Sequence, residues 1–177
     1  MNIFEKIKFL LRKPKIVVLT DNNRELVKRI AARIVGSSFA EDLSEAKKKK
    51  LSSTWIGREV LFADDIEKID LSSRKYLIFN FDKEGIRKIK EMTPVKTLTF
   101  GFQEGADFQV TDVKINGGTN FKVNYQGKIV PIWLMGTKSP EEIYPVLAAV
   151  AIGTALGLNL IEISQILKEV DICNKKS

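Results

Sequence analysis

The 177-residue chain contains no histidine. This absence excludes Ser-His-Asp and Cys-His catalysis, and it excludes any metal site that depends on imidazole ligands. The only cysteine is Cys173, so no disulfide can form within the chain, which favours a reducing compartment. Cys173 lies in a polar tail, and we assign it no role. Carboxylates, lysines and hydroxyls are the main groups left for chemistry.

Long apolar runs are also missing. No run is long enough to span a bilayer, and the first fifteen residues are too short and too charged for a cleavable signal peptide. We therefore expect a cytoplasmic protein. Hydrophobic residues make up 44% of the chain and charged residues 29%, as in an ordinary soluble domain with a sizeable core.

The charge balance is basic, with a formal net charge of +7. The densest run, Lys47–Lys50, has no interleaved aromatic residues and is typical of a solvated helix end followed by a loop. No nucleic-acid-binding module accompanies the charge, so we do not expect nucleic acid as a partner. A basic membrane- or nucleic-acid-associated protein remains an alternative reading of the composition.

Residues 1–13 have the pattern of an amphipathic N-terminal helix, which Pro14 ends. Phe4, Ile7 and Leu10 fall on one face of it. We interpret these three as possible contacts to the domain itself, to a protein partner or to a second copy of the chain. Weak membrane association through the same helix is the alternative, because one short amphipathic helix binds lipid only weakly.

The order of the remaining segments predicts an α/β domain. Ile16–Leu19 is a continuous, mostly β-branched run, typical of a strand buried in a parallel sheet. Further strands are predicted within Trp55–Phe62 and at Tyr76–Phe81, Lys96–Phe100, Phe108–Ile115, Phe121–Tyr125 and Lys128–Leu134, and helices at Arg24–Val35 and Asp82–Met92. We expect a mostly parallel sheet flanked by helices, with a small antiparallel β meander in which glycine-containing turns join the last three strands.

Two helices are predicted to close the chain. Ser139-Pro140-Glu141-Glu142 has the pattern of a capping box with proline at the first helical position. The buried helix that follows runs from Ile143 to Leu156; Pro145 could bend its first turns, and Gly157 ends it. Asn159 is the predicted cap of the last helix. Residues 14–170 are thus expected to form a single domain, followed by a polar tail over residues 171–177.

Three stretches of this sequence carry a family resemblance: "YLIFNFDKEGIRKI", with Asn80 and Asp82 as an Asn-x-Asp strand end; "VKTLTFGFQEGADFQVTDVKI", with Phe-Gly and Ala-Asp; and "EEIYPVLAAVAIGTALGLNLIEISQIL". Together they resemble the central, ATP-binding domain of the Mur ligases, nearest to the ligase that adds D-alanyl-D-alanine. The resemblance implies the fold of that domain and a link to peptidoglycan precursor synthesis. The alternative is an unrelated α/β domain with an inserted meander.

The resemblance also implies a phosphate-binding loop after the first strand. A working family loop reads Thr-Gly-Thr/Ser-Asn-Gly-Lys-Thr/Ser, and its glycines, lysine and hydroxyl hold phosphate and magnesium. The matching stretch consists of Thr20, Asp21, Asn22, Asn23, Arg24 and Glu25. In this alignment Asp21 and Arg24 replace the glycines, Glu25 replaces the lysine, and Leu26 replaces the magnesium ligand.

These replacements act against phosphate binding. Side chains at the glycine positions block close approach of the backbone and restrict positive φ. Asp21 and Glu25 place negative charge where a phosphate would lie, and like charges at short range cost free energy. We therefore expect no ATP at this loop, which is a degenerate phosphate loop.

The family's other active-site groups have no match either. Its metal-binding glutamate and histidine and its carbamylated lysine have no counterpart, and its His-Asn-x-x-Asn helix start is replaced by residues 141–145. The family's N-terminal and C-terminal domains have no counterpart in this sequence. We expect no catalytic residues, no metal and no cofactor.

These expectations favour a non-catalytic Mur ligase central-domain-like protein, a protein-binding module whose partner is another Mur ligase-like subunit or a copy of itself. The alternative in the enzyme class is a subunit of an ATP-dependent amino-acid ligase that acts with domains supplied in trans, so enzymatic activity stays open.

Overall fold

A mixed β-sheet organises the part of the chain that the structure describes. The structure is a computed structural model, and it describes residues 16–19, 23–35, 60–63, 75–85, 87–135 and 139–170. Within them the strands are β1 Ile16–Leu19, β2 Val60–Ala63, β3 Tyr76–Asn80, β4 Lys96–Gly101, β5 Phe108–Ile115, β6 Thr119–Tyr125 and β7 Lys128–Leu134. The helices are α1 Arg24–Val35, α2 Arg87–Met92, α3 Ile143–Ala155 and α4 Leu160–Leu167, and a 3-10 turn over Pro140–Glu142 precedes α3.

The strands form one sheet in the order β2-β1-β3-β4-β5-β6-β7. All neighbours from β2 to β5 are parallel, whereas β5, β6 and β7 pair antiparallel. The predicted α/β class, with a mostly parallel sheet flanked by helices and an antiparallel meander, is confirmed. Strand β5 belongs to both parts, so the meander continues the parallel sheet.

The two faces of the sheet are covered unequally. Ile16, Val18 and Ile78 point to the larger core, which α1, α3 and α4 close. Leu77 and Phe79 point to the other face, where they pack with Val17, Val95 and the partly buried Ile89 of α2. Burial on both faces explains why β1 and β3 are continuous apolar runs without polar alternation.

Helices α3 and α4 are defined at their ends by local hydrogen bonds. Gly157 adopts φ 104°, its N–H donates to Thr154, and the N–H of Leu158 donates to Gly153, which is a Schellman ending. The Asn159 side chain accepts from the N–H groups of Ile161 and Glu162. The predicted end at Gly157 and the predicted cap at Asn159 are therefore confirmed.

The predicted capping box at the start of α3 is wrong. The Ser139 side chain makes no cap hydrogen bond, and the chain enters α3 through a 3-10 turn in which the N–H of Glu142 donates to the Ser139 carbonyl. The pKa of Glu141 is lowered by a hydrogen bond from its own backbone and then by one from the Ser139 side chain. Pro145 lies in the first turn of α3, where its missing N–H would have no helical partner.

The predicted start of the helix at Asp82 is also wrong. Residues 81–85 form a turn and α2 begins only at Arg87. The N–H of Asp82 donates to Oδ1 of Asn80, a local side-chain contact that competes with helix formation. The boundaries of four strands differ as well: β2 covers Val60–Ala63, β3 ends at Asn80, β4 ends at Gly101 and β6 begins at Thr119.

Several predicted features lie outside the described residues. They include the helix over residues 1–13 with Phe4, Ile7 and Leu10, and the tail with Cys173. None of the helices in the described ranges is both long enough and apolar enough to cross a membrane.

Gly153 of α3 lies close to side chains of both α1 and α4. A Cβ built there would lie 2.7 Å from Cγ2 of Ile34 and 3.1 Å from Cδ1 of Ile163. We expect Gly153→Ala to lower the free energy of unfolding by about 1–3 kcal/mol, as overpacking of a filled core does. Urea denaturation followed by circular dichroism measures this change.

The matched background is Ile34→Leu, which keeps the side-chain volume and removes the Cγ2 branch. In that background Gly153→Ala should cost at least about 0.5 kcal/mol less, because neighbouring substitutions couple. Thr154→Ala, at the next position of α3, is the control and should change stability little. A stabilising Gly153→Ala, as helix propensity alone predicts, would contradict the close approach.

Candidate functional site

The candidate site lies at the edge of the sheet where the parallel strands β1, β3 and β4 end. In open α/β sheets ligands bind outside the carboxyl ends of the strands, between a strand and the start of the next helix. Here β1 ends at Leu19 and α1 begins at Arg24. This confirms that a strand and a helix flank the predicted loop. Thr20, Asp21 and Asn22 lie outside the described residues.

The three described loop residues are not brought together at one point. Asn23 lines a small cavity, and its carbonyl accepts from the N–H of Val27. Glu25 is 77% exposed, and its carboxylate pairs with Nζ of Lys28 at 2.9 Å on the surface of α1. Arg24 is half-buried in the first turn. The charge of Glu25 therefore faces solvent and is partly balanced by Lys28.

The cavity beside Asn23 has a volume of about 50 Å³ and is mostly apolar. Its polar members are Asn23 before α1, Asn80 at the end of β3, Lys83 in the turn that follows, and Tyr144 in α3. Burial lowers the pKa of Lys83, because desolvation penalises the ammonium. The apolar walls of the cavity are formed by Leu19, Val27, Phe100, Pro145 and Ala148.

Asp82 is the best-connected carboxylate at this edge. Its Oδ2 accepts from the N–H of Phe102 at 2.7 Å and from the Tyr144 hydroxyl at 2.9 Å, and its Oδ1 accepts from the N–H of Gln103 at 3.0 Å. The ring of Tyr144 also meets Phe102 edge-on, with 5.2 Å between centroids. One side chain thus joins the turn after β3, the loop after β4 and α3.

Gly101 makes this contact possible. A Cβ at Gly101 would lie 2.5 Å from Oδ1 of Asp82, closer than any side chain tolerates. The Phe-Gly pair of the resemblance is therefore explained by the approach of a carboxylate to the backbone of β4.

Asp107, just before β5, also uses its carboxylate to accept a main-chain hydrogen bond, as Asp82 does. Its Oδ2 accepts from the N–H and the hydroxyl of Thr99, both at 2.7 Å, and its own N–H donates to that hydroxyl at 3.0 Å. Lys90 of α2 lies 3.5 Å from Oδ1. Thr99 is fully buried, so these bonds satisfy polar groups that would otherwise be buried without partners.

The motif residues Asp82 and Asp107 hold the scaffold together through backbone hydrogen bonds. Across the described ranges, no group of three or more acidic or cysteine side chains converges as a metal site would require.

Sequence reasoning missed Lys83 and the role of Tyr144. The only signal for them was their closeness in sequence to Asp82 and to Glu141–Glu142.

No protein-family model and no curated protein sequence matches this chain. MurF from Acinetobacter baumannii superposes with a TM-score of 0.65 at 14% identity, over 93% of this chain and 47% of that one. The MurF ligase from Thermotoga maritima, solved in complex with ADP, gives 0.65 at 13% identity, over 92% and 50%. Folylpolyglutamate synthetase from Lactobacillus casei gives 0.57 at 10% identity, over 93% and 64%.

The chain has a Mur ligase-like central-domain fold. At these identities the likeness shows the fold alone, and it confirms the fold that the resemblance implied. The Mur ligase-like domain spans about half the length of the MurF structures it matches.

The Tyr144–Asp82 contact predicts a dependence of stability on alkaline pH. Burial, then the hydrogen bond and charge of Asp82, raise the pKa of Tyr144 above its ordinary value. An unfolded chain ionises tyrosine near pH 10, whereas the folded chain keeps this proton. The unfolded state then binds fewer protons, so stability is fully present below about pH 10 and falls above it.

Tyr144→Phe should lose about 1–2 kcal/mol of unfolding free energy at pH 8 through the missing hydrogen bond, and its stability should then fall less steeply above about pH 10 than that of the wild type. Urea denaturation at each pH measures both effects. Parallel slopes for the two proteins would contradict the contact. Tyr125→Phe is the comparison variant, because burial raises the pKa of Tyr125 without contact to Asp82.

Proposed function

We propose that this chain is a cytoplasmic, non-catalytic domain that binds a protein partner in peptidoglycan precursor synthesis. Two features support the absence of catalysis. The loop position carries Arg24 and Glu25 in place of a glycine and the lysine, and Glu25 turns to solvent. Asp82 and Asp107 are occupied by backbone hydrogen bonds. The proposed pathway comes from the family resemblance.

The observation that carries the binding role is an apolar stripe on the outer face of β7. Ile129, Trp133 and Met135 are 60%, 52% and 54% exposed, and Pro131 between them is exposed too. They alternate along the strand with the buried Ile132 and Leu134, so they share the face opposite the core. A contiguous apolar patch of this kind, with an exposed tryptophan, is typical of a protein interface.

The rim of the stripe indicates the chemistry of its partner. On the same face, Lys122 stands opposite Pro131, and Lys114 lies one strand beyond Asn120, which is opposite Trp133. Lys122 pairs with Asp112 at 2.6 Å, so the rim carries a positive excess, as does the whole chain at +7. A second copy would bring the same lysines together, whereas an apolar surface with an acidic rim complements them. We therefore propose a partner that presents an apolar surface with an acidic rim.

The edge of β7 is protected while its face is open. Pro131 has no N–H, and its carbonyl accepts from the hydroxyl of Ser164 in α4 at 2.6 Å. Both main-chain groups at the middle of the edge are thus unable to pair with an added strand. This favours docking on the face of β7 over strand addition at its edge.

The stripe gives a prediction for partner binding. The double variant Ile129→Ser/Trp133→Ser should bind the partner at least about tenfold more weakly, because exposed tryptophans dominate such interfaces. The matched control is Ile161→Ser, since Ile161 of α4 is 61% exposed but lies outside the stripe. Capture from native cells identifies proteins held by the wild type and by the control, and biolayer interferometry measures their affinities.

Equal capture by all three proteins would contradict the role of the stripe. Analytical ultracentrifugation tests whether a second copy of the chain occupies the stripe. A wild-type dimer that the double variant abolishes would identify the second copy as the occupant and would overturn the proposal of an acidic partner.

The loop gives a prediction for nucleotide binding. Isothermal titration calorimetry of the chain with magnesium-ATP should show no binding tighter than about 1 mM, because the backbone nest and its lysine are replaced. The MurF ligase from Thermotoga maritima, solved with ADP, is the positive control when titrated with ADP. Micromolar binding by this chain that Asn23→Ala or Arg24→Ala removes would overturn the proposal.

The second candidate function is a ligase subunit that acts with domains supplied in trans. It is favoured by one observation: 92% of this chain superposes on the MurF ligase from Thermotoga maritima, which was solved in complex with ADP. In the same calorimetry, nucleotide binding that appears only after a protein carrying the missing domains is added would favour this candidate over the first.

A further inference from the structure

The sheet has a gap beside the first half of β4. Strands β4 and β5 pair only at Phe100 with Phe108 and at Gly101 with Gln109. Residues Lys96–Leu98 therefore have β3 on one side and no described strand on the other. The far side of the gap is lined by Tyr125, the last residue of β6, and by the turn at Gln126-Gly127. Where β5 lies between them, β4 and β6 are two strand spacings of about 4.8 Å apart, so a peptide that continues the line of β5 needs the width of one strand.

The main chain of Thr97 faces this gap. The carbonyl of Phe100 accepts from Phe81 on the β3 side, whereas the N–H of Thr99 donates to Asp107 on the β5 side. Main-chain groups alternate sides along a strand, so those of Thr97 point the same way as those of Thr99. Asp107 satisfies Thr99, but no described residue pairs with Thr97 on that side.

The gap is a cleft with a volume of about 350 Å³. This is within the range of small-ligand sites, and the three residues Lys96–Leu98 provide about 10 Å of strand along it. The amide side chains of Gln109 and Asn124 face each other across β5 and β6 and line the cleft. Neither side chain hydrogen-bonds another described residue. The third amide, Gln126, donates to the Tyr125 hydroxyl at 3.1 Å.

The charge at the mouth of the cleft is positive. Nζ of Lys96 lies 5.5 Å from the ring centroid of Tyr76, and Nζ of Lys75 lies 5.2 Å from the same centroid. The one carboxylate in the lining, Asp107, is already bonded to Thr99 and paired with Lys90. An incoming acidic side chain would meet Lys96 without facing a free carboxylate of the lining.

We propose that this cleft binds an extended peptide that carries an acidic side chain, by adding a short strand next to Thr97. The main chain of the peptide pairs with the N–H and carbonyl of Thr97, as in strand addition to a sheet edge. The amides of Gln109 and Asn124 bond its remaining peptide groups, and Lys96 pairs with its carboxylate. The site is separate from the stripe on β7, so each can be tested without the other.

The test uses the full chain labelled with ¹⁵N and three capped pentapeptides. The first peptide is acetyl-Thr-Val-Glu-Val-Thr-amide. The second has lysine in place of glutamate. The third has the sequence of the first, with both valines N-methylated. We expect the first to shift the amide signals of Thr97, Gln109 and Asn124, and the other two to bind at least about tenfold more weakly. The lysine peptide tests the charge, and the methylated one tests main-chain pairing.

Lys96→Glu should reverse the preference between the glutamate and lysine peptides. Lys168→Glu, the same charge change at the exposed end of α4, should leave the preference unchanged. Circular dichroism of each variant establishes that it is folded before titration. Absence of shifts with the first peptide, or equal binding of all three, would overturn the proposal. Shifts confined to β7 would also overturn it, because they would place the peptide on the stripe.

Discussion

The carboxylate of Asp82 is the contact on which the functional edge of the sheet depends. Two backbone N–H groups from the loop after β4 and one hydroxyl from α3 donate to it. Among the described strands none lies beside the loop at Phe102–Gln103, so the carboxylate of Asp82 pairs N–H groups that the sheet does not. The contact also excludes any side chain at Gly101, because a Cβ there would overlap the carboxylate.

Pairing of backbone groups at strand ends also explains the other motif residues at this edge. Asp82, Gly101 and Asp107 lie in the stretches that carry the family resemblance, and in this chain each satisfies or accommodates backbone at the ends of parallel strands. Of the described loop residues, Glu25 makes a surface ion pair with Lys28 and so contributes to α1, not to the ends of the strands.

Local patterns predicted most of the fold because the relevant physics is local. The apolar runs of β1 and β3, the Schellman ending at Gly157 and the cap at Asn159 follow from burial and from hydrogen bonds within a few residues. The predicted helix start at Asp82 failed because Asp82 has competing partners: its N–H donates to Asn80, and its carboxylate accepts from the distant loop after β4. The predicted capping box at Ser139 failed because the chain enters α3 through a 3-10 turn. Local patterns do not rank such competitors.

The sequence by itself determined the α/β class, the order of its strands and helices, and the replacement of glycine and lysine in the loop before α1. Only the tertiary structure decided which groups meet. It placed Lys83 and Tyr144 beside Asn23, and it turned the alternate residues of β7 outward. It also left Thr97 facing a gap, because β5 begins opposite Phe100 and not opposite Lys96. Register between strands depends on contacts distant in sequence, and periodicity along one strand does not specify it.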